Sequence, residues 1–187
     1  YMLQLINDIL DLSKIEAQKM DIEILSVQTF SLVEDVHNFT QILADNKNIY
    51  FKTEFEFPIP KQINTDPTRL KQALINLCSN AIKFTQEGGV YLRVSYKNDM
   101  MHFSVEDTGI GMNEDTQKKL FGAFSQADSS TSRKFGGTGL GLYLSKLIAN
   151  RLCGDITVSS RLGKGSTFTL SVNPGELKCS EWTESDR

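Results

Sequence analysis

Three groups of residues have types and spacings that can do chemistry. The first is a line of side chains on one helix. At ~100° per residue Asn76, Asn80 and Lys83 fall within about 60° of one another, beside an apolar face of Leu70, Ala73, Leu74, Leu77, Ala81 and Phe84. A carboxamide oxygen is a hard ligand suited to Mg²⁺, and a lysine is a point charge for phosphate oxygens, so this line is able to hold a metal–phosphate group. Taken alone, a solvated helix face looks the same. The second group is Asp107-Thr108-Gly109-Ile110-Gly111 at the end of a strand. A carboxylate that only accepts hydrogen bonds takes one from adenine's exocyclic amine and repels guanine's carbonyl, and the glycines let a flat ring approach the backbone. By itself D-x-G-x-G is often only a turn. The third is Phe135-Gly136-Gly137-Thr138-Gly139-Leu140-Gly141-Leu142, where glycines at a loop-to-helix junction expose N–H groups at the positive end of the helix dipole, a site for phosphate. No Walker A loop occurs, the Rossmann spacing fails, and the H-R-D and D-F-G motifs of protein kinases are missing.

These groups need elements to position them, and periodicity supplies the elements. Residues 1–18 carry Met2, Leu5, Ile9 and Leu12 at spacings of three and four, widened by Ile6 and Leu10, the pattern of a helix that packs into a bundle. Residues 22–30 look strand-like, 31–45 follow a helical period through Leu32, Val36, Phe39 and Leu43, and 49–57 alternate as a strand. Asp66 offers an N-cap oxygen and Pro67 fits the first helical position, which starts a helix running to about Thr85. Strands near 90–97 and 101–107 flank a tight turn at Asn98-Asp99. Residues 121–137, rich in Ser, Gly and Thr, read as a long loop of the kind that forms lids. A helix over 139–152 and a hairpin of 155–160 with 166–172 complete the expected core, and a polar tail or linker follows Pro174.

Composition narrows the functional classes. The chain has 187 residues, 40% hydrophobic and 23% charged, with a formal net charge of −3, the profile of an ordinary globular domain with no electrostatic reason to bind nucleic acid. No apolar run reaches the roughly 18 residues that cross a bilayer, so no membrane contact is expected of this fragment. Cys78, Cys153 and Cys179 are far apart without C-x-x-C spacing, which argues for reduced thiols in a cytosolic setting and against zinc.

Together, DPTRLKQALINLCSNAIKFT, EDTGIGM and FGGTGLGL resemble, in this order, the N, G1 and G2 boxes of the histidine-kinase catalytic domain. Leu120-Phe121-Gly122-Ala123-Phe124 resembles that family's F box, and Gly163-Lys164-Gly165-Ser166-Thr167-Phe168 its last glycine motif. The resemblance runs over residues 20–173. The opening LINDILDLSKIEA resembles the second helix of the dimerisation and phosphoacceptor domain, making residues 1–19 its end and 174–187 a tail, and the lid wording FSQADSSTSRKF is most like hybrid sensor kinases.

The resemblance implies the Bergerat ATP-binding fold, an α/β two-layer sandwich in which helices cover one face of a mixed sheet. It implies ATP and Mg²⁺ as cofactors, with Asn80 ligating the metal, Lys83 contacting phosphate and Asp107 binding the adenine amine. Gly109, Gly111, Arg133, Gly137, Thr138, Gly139, Leu140, Gly141 and Thr167 complete the expected nucleotide contacts. Asn76 stands where the superfamily's ATPases carry a water-activating Glu, and an amide cannot accept a proton at neutral pH. The implied reaction passes the γ-phosphoryl group to a histidine of the dimerisation domain, for relay to a receiver-domain aspartate of a response regulator. The parent is expected to be a homodimer, cytoplasmic in this part and anchored in the inner membrane. The alternative is an ATPase of gyrase or chaperone type. Two positions depart from the family pattern: Ala123 replaces the F-box proline, and Gln126 stands where many relatives place an Arg, leaving Arg133 or Lys134 to supply charge near the γ-phosphate, unless they serve only solubility. Neither His37 nor His102 sits in a phosphoacceptor motif, so the phosphorylated histidine is expected on another segment.

Overall fold

The computed structural model describes residues 2–16, 20–122, 140–177 and 182–183. Helix α1 (Met2–Glu16) precedes β1 (Leu25–Gln28) and α2 (Thr29–Asp45). Then come β2 (Tyr50–Glu56), β3 (Ile59–Pro60), β4 (Gln62–Thr65), α3 (Pro67–Phe84), β5 (Gly89–Lys97) and β6 (Met100–Asp107). The chain continues through α4 (Glu114–Lys119), α5 (Gly141–Arg151), β7 (Asp155–Arg161), β8 (Gly165–Val172) and β9 (Trp182–Thr183). No helix among the described residues is long and apolar enough to cross a membrane.

The central sheet has the order β2-β5-β6-β8-β7, with β2 and β5 parallel and the other pairs antiparallel. Strand alternation sends Val90, Leu92 and Val94 of β5, and Met101, Phe103 and Val105 of β6, into one core with Leu32 and Val36 of α2, Leu70, Leu74 and Leu77 of α3, and Leu144 and Ile148 of α5. Leu70, Leu74 and Leu77 are at most 1% exposed, and burial of each contributes roughly 1.5–3 kcal/mol. The other sheet face is polar and carries Arg93, bonded to Glu54 and Glu106. This is the expected two-layer sandwich.

Several elements differ from the sequence expectation. The strand expected over 22–30 is confined to Leu25–Gln28, because Thr29 already starts α2, its N–H donating to Lys61 O at 2.8 Å and its hydroxyl to Pro60 O at 2.6 Å. Strands β3 and β4 and helix α4 have no counterpart in the sequence reading. Helix α4 buries no residue, so it leaves no apolar period, and it is set by Asn113 Oδ1 accepting Thr116 N–H at 2.9 Å. In the expected polar tail, Trp182–Thr183 pair with Ile59–Pro60, Trp182 meets the Tyr96 ring edge-on, and Leu177 packs on the core. Helix α1 sits on the domain through Asp11, which accepts from Gln72 at 2.9 Å and faces Arg69 at 3.5 Å, while Leu3, Ile6, Ile9 and Leu10 stay exposed.

Candidate functional site

Helix α3 is fixed at its start before it can present anything at its end. Asp66 Oδ1 accepts the N–H of Arg69, Oδ2 accepts that of Glu23, both at 3.0 Å, and Pro67 takes the first helical position, as its residue type predicts. At about 1 kcal/mol for a cap, this orients the whole rod. Its polar line then emerges in order: Asn76, Asn80 and Lys83 are all half-buried on the flank of the core face. Asn76 Nδ2 donates to Ser145 Oγ of α5 at 2.9 Å, and a Cβ on Gly141 would lie 2.4 Å from Asn76 Oδ1, so a side chain at residue 141 would displace the Asn76 amide. Burial lowers the pKa of Lys83, whose Nζ lies 5.2 Å from the Phe84 ring centroid.

Asp107 ends the inward row of β6, continuing Met101, Phe103 and Val105 into a polar terminus. It is 6% exposed. Its Oδ1 accepts Gly109 N–H at 2.8 Å, and the backbone of Ser166 also donates to the carboxylate. Burial raises its pKa, the neighbouring charge of Glu106 adds to the rise, and the two backbone donors oppose it. Two donors leave acceptor capacity on a group with about four lone-pair sites. The loop after Asp107 is tied to the end of α3 by Ile110 N–H on Phe84 O at 3.4 Å. It is shaped by Gly111, whose φ of +64° and 2.1 Å Cβ approach to Arg161 O admit no side chain. The buried Leu140 leads into Gly141 at the start of α5.

Asn76, Asn80, Lys83, Asp107, Gly109, Gly111, Leu140 and Gly141 thus gather around the end of α3, the β6 terminus and the α5 start. Arg133, Gly137, Thr138 and Gly139, with Ala123, Gln126 and Lys134, lie outside the described residues. Thr167 does not join the group. It pairs with Glu106, which faces the uncovered side of the sheet, and it lines a shallow polar depression there with His102, Ser104 and Thr169. The residue opposite Asp107 is Ser166, buried, with its hydroxyl 2.8 Å from Ser160 Oγ. Period-two alternation counted from Asp107 across the β6–β8 register selects Ser166 over Thr167, a signal that needs the register. The two histidines are occupied elsewhere: His37 Nδ1 lies 2.9 Å from Thr53 Oγ1, and His102 Nε2 lies 3.1 Å from Lys97 O.

The family model described as "Histidine kinase-, DNA gyrase B-, and HSP90-like ATPase" matches residues 65–176, from the cap of α3 to beyond β8. The chain belongs to this family. The aerobic respiration control sensor protein ArcB of Escherichia coli (strain K12) is 45% identical over 169 residues, 89% of this chain and 22% of ArcB. Hybrid signal transduction histidine kinase B of Dictyostelium discoideum is 44% identical over 94% of this chain and 9% of its own length. In these relatives the chain therefore corresponds to less than a quarter of the protein. Full-length ShkA in complex with AMPPNP superposes with a TM-score of 0.82 at 29% identity, over 100% of this chain and 37% of ShkA. The Dictyostelium relative is named a histidine kinase, which favours the kinase branch over the gyrase or chaperone branch. The catalytic domain of histidine kinase ThkA superposes with a TM-score of 0.69 at 26% identity, over 81% of this chain and 98% of that domain, so the fold is that of histidine-kinase catalytic domains.

Proposed function

We propose that this chain holds Mg·ATP between the end of α3, the Asp107 loop and the start of α5, and presents the γ-phosphoryl group to a histidine on a separate helix, from which it passes to a receiver-domain aspartate. The observation that carries the reading is Asp107, a nearly dry carboxylate at the sheet terminus, next to the loop that Ile110 ties to α3. In this reading Asp107 accepts from the adenine amine, Lys83 meets phosphate, and Asn80 offers its carboxamide oxygen to Mg²⁺. Mg²⁺ is usually bound through one or two protein oxygens together with substrate phosphates and water, so one carboxamide ligand would suffice. A bound metal would neutralise phosphate charge, while the chain's own residues position the nucleotide. Arg133 or Lys134 would add charge at the γ-phosphate, and Gly137, Thr138 and Gly139 are proposed nucleotide contacts.

The exposed Leu3, Ile6, Ile9 and Leu10 of α1 support a dimerisation helix seeking partners in a homodimeric parent. Cys78 and Cys153, both free thiols, fit a cytoplasmic location below a membrane-anchored sensor. Calorimetric titration with ATP, ADP and GTP, with and without Mg²⁺, tests the assignment. Adenine nucleotides should bind at least about tenfold more tightly than GTP, the effect of losing one hydrogen bond to a buried charge. Equal affinities would refute the role of Asp107.

A further inference from the structure

The polar line of α3 lies toward the C-terminal end of the helix, which is the wrong end for a polyanion. The last carbonyls of a helix are unpaired and carry the equivalent of about half a negative charge, whereas phosphate favours the opposite terminus. Here those carbonyls are accounted for one by one. Ala81 O accepts from Thr85 Oγ1 at 2.7 Å, and Phe84 O accepts from Ile110 N–H at 3.4 Å. Ile82 O accepts from Thr85 N–H at 3.3 Å and from Lys47 Nζ at 2.8 Å, and Lys83 O accepts from Lys47 Nζ at 2.7 Å. Lys47 is 36 residues before Lys83 and belongs to none of the glycine or asparagine motifs. It is held by the turn that ends α2, where its own N–H donates to Ala44 O at 3.0 Å and Asn48 adopts a φ of 57°. No carboxylate among the described residues forms an ion pair with it. Partial burial lowers the pKa of both Lys47 and Lys83.

We propose that Lys47 is a positioning residue for the nucleotide phosphates: by holding the Ile82 and Lys83 carbonyls it offsets the negative end of α3 and fixes the turn from which Asn80 and Lys83 reach the ligand. The inference rests on the reading of that turn as the phosphate side of the site. Because its action is on charge, it affects the phosphates and leaves the adenine contacts at Asp107 alone.

The test is an NMR titration of the folded chain with Mg·ADP and, separately, adenosine, which shares the base and ribose but carries no phosphate. Lys47→Met should weaken ADP by about tenfold and leave adenosine within about twofold, and Lys47→Arg should restore most of the loss. Lys47→Gln keeps a neutral donor and stands in if Lys47→Met does not fold; it should show the same split. Equal weakening of ADP and adenosine would mean a purely structural cap, and no weakening of either would mean no role; both overturn the proposal. A wild type that fails to bind ADP would overturn the nucleotide reading itself, and this inference with it.

Discussion

Asn76 on α3 donates its side-chain amide to Ser145 Oγ on α5 at 2.9 Å. If residue 76 occupies the position of a water-activating base, as the family resemblance implies, that position carries an amide already joining two helices. The chain should hydrolyse ATP slowly, because a general base typically contributes 10²- to 10⁴-fold and this position supplies none. Asn76→Ala should leave phosphate release unchanged in a coupled assay. The same variant should lose about 1 kcal/mol of stability with the hydrogen bond. Brisk turnover abolished by the substitution would favour an ATPase.

Asp107 predicts a pH dependence whose sign follows from its burial. Burial raises its pKa, so it keeps its proton to higher pH than an ordinary Asp. An amine donates to the ionised form, and binding at low pH must first expel that proton. Adenine-nucleotide affinity should therefore fall as pH drops through the raised value, by about tenfold per unit below it, and level off above it. For stability the sign is opposite: a carboxyl whose folded pKa lies above its unfolded one favours the fold at low pH, and that contribution is lost as pH rises through the folded value. Asp107→Asn should then flatten the binding profile, weaken binding at least about tenfold, and leave the Tm at neutral pH equal or higher. Calorimetry between pH 4 and 8, paired with thermal melts, reads both signs.

Much of this was legible from the sequence, for local reasons. Helix α3 announces itself through Asp66, Pro67 and a continuous Leu stripe. The β5–β6 hairpin follows from Asn98-Asp99, whose φ values of 52° and 60° are those of a type I′ turn. What escaped was non-local. The parallel pairing of Tyr50–Glu56 with Gly89–Ser95 joins strands separated by α3, and the two-residue contact of Ile59–Pro60 with Trp182–Thr183 spans most of the chain. The cross-strand register, which places Ser166 and not Thr167 opposite Asp107, is likewise invisible in a single sequence. Lys47 escaped because a lysine in a polar turn carries no sign of the two carbonyls it will reach.

The start of α3 should be as consequential as its end. Asp66 satisfies two backbone N–H groups from separate segments, those of Arg69 and Glu23. Asp66→Ala should cost about 1–3 kcal/mol in urea unfolding, and Asp66→Asn, which retains an acceptor, should cost less. Equal costs for the two variants would place the effect in something other than acceptor loss.

Cys78 lies in the core, and burial pushes its thiol up to about 12. The thiolate is the reactive form, so Cys78 should resist alkylation at pH 8 in the folded chain while the exposed Cys153 reacts. Peptide mapping after brief iodoacetamide treatment reads this, with Cys78 modification rising only as denaturant unfolds the protein. Modification of Cys78 at the rate of Cys153 would contradict the packing around α3.

The most direct measurement of the central claim is transfer of label from [γ-³²P]ATP and Mg²⁺ to a separately supplied dimerisation domain bearing a phosphoacceptor histidine, with this chain as the only source of catalysis. The account predicts an acid-labile, base-stable label on that histidine, none on His37 or His102, and loss of transfer in Asn80→Ala. Label on His37 or His102, or release of phosphate to water with the histidine unlabelled, would contradict it.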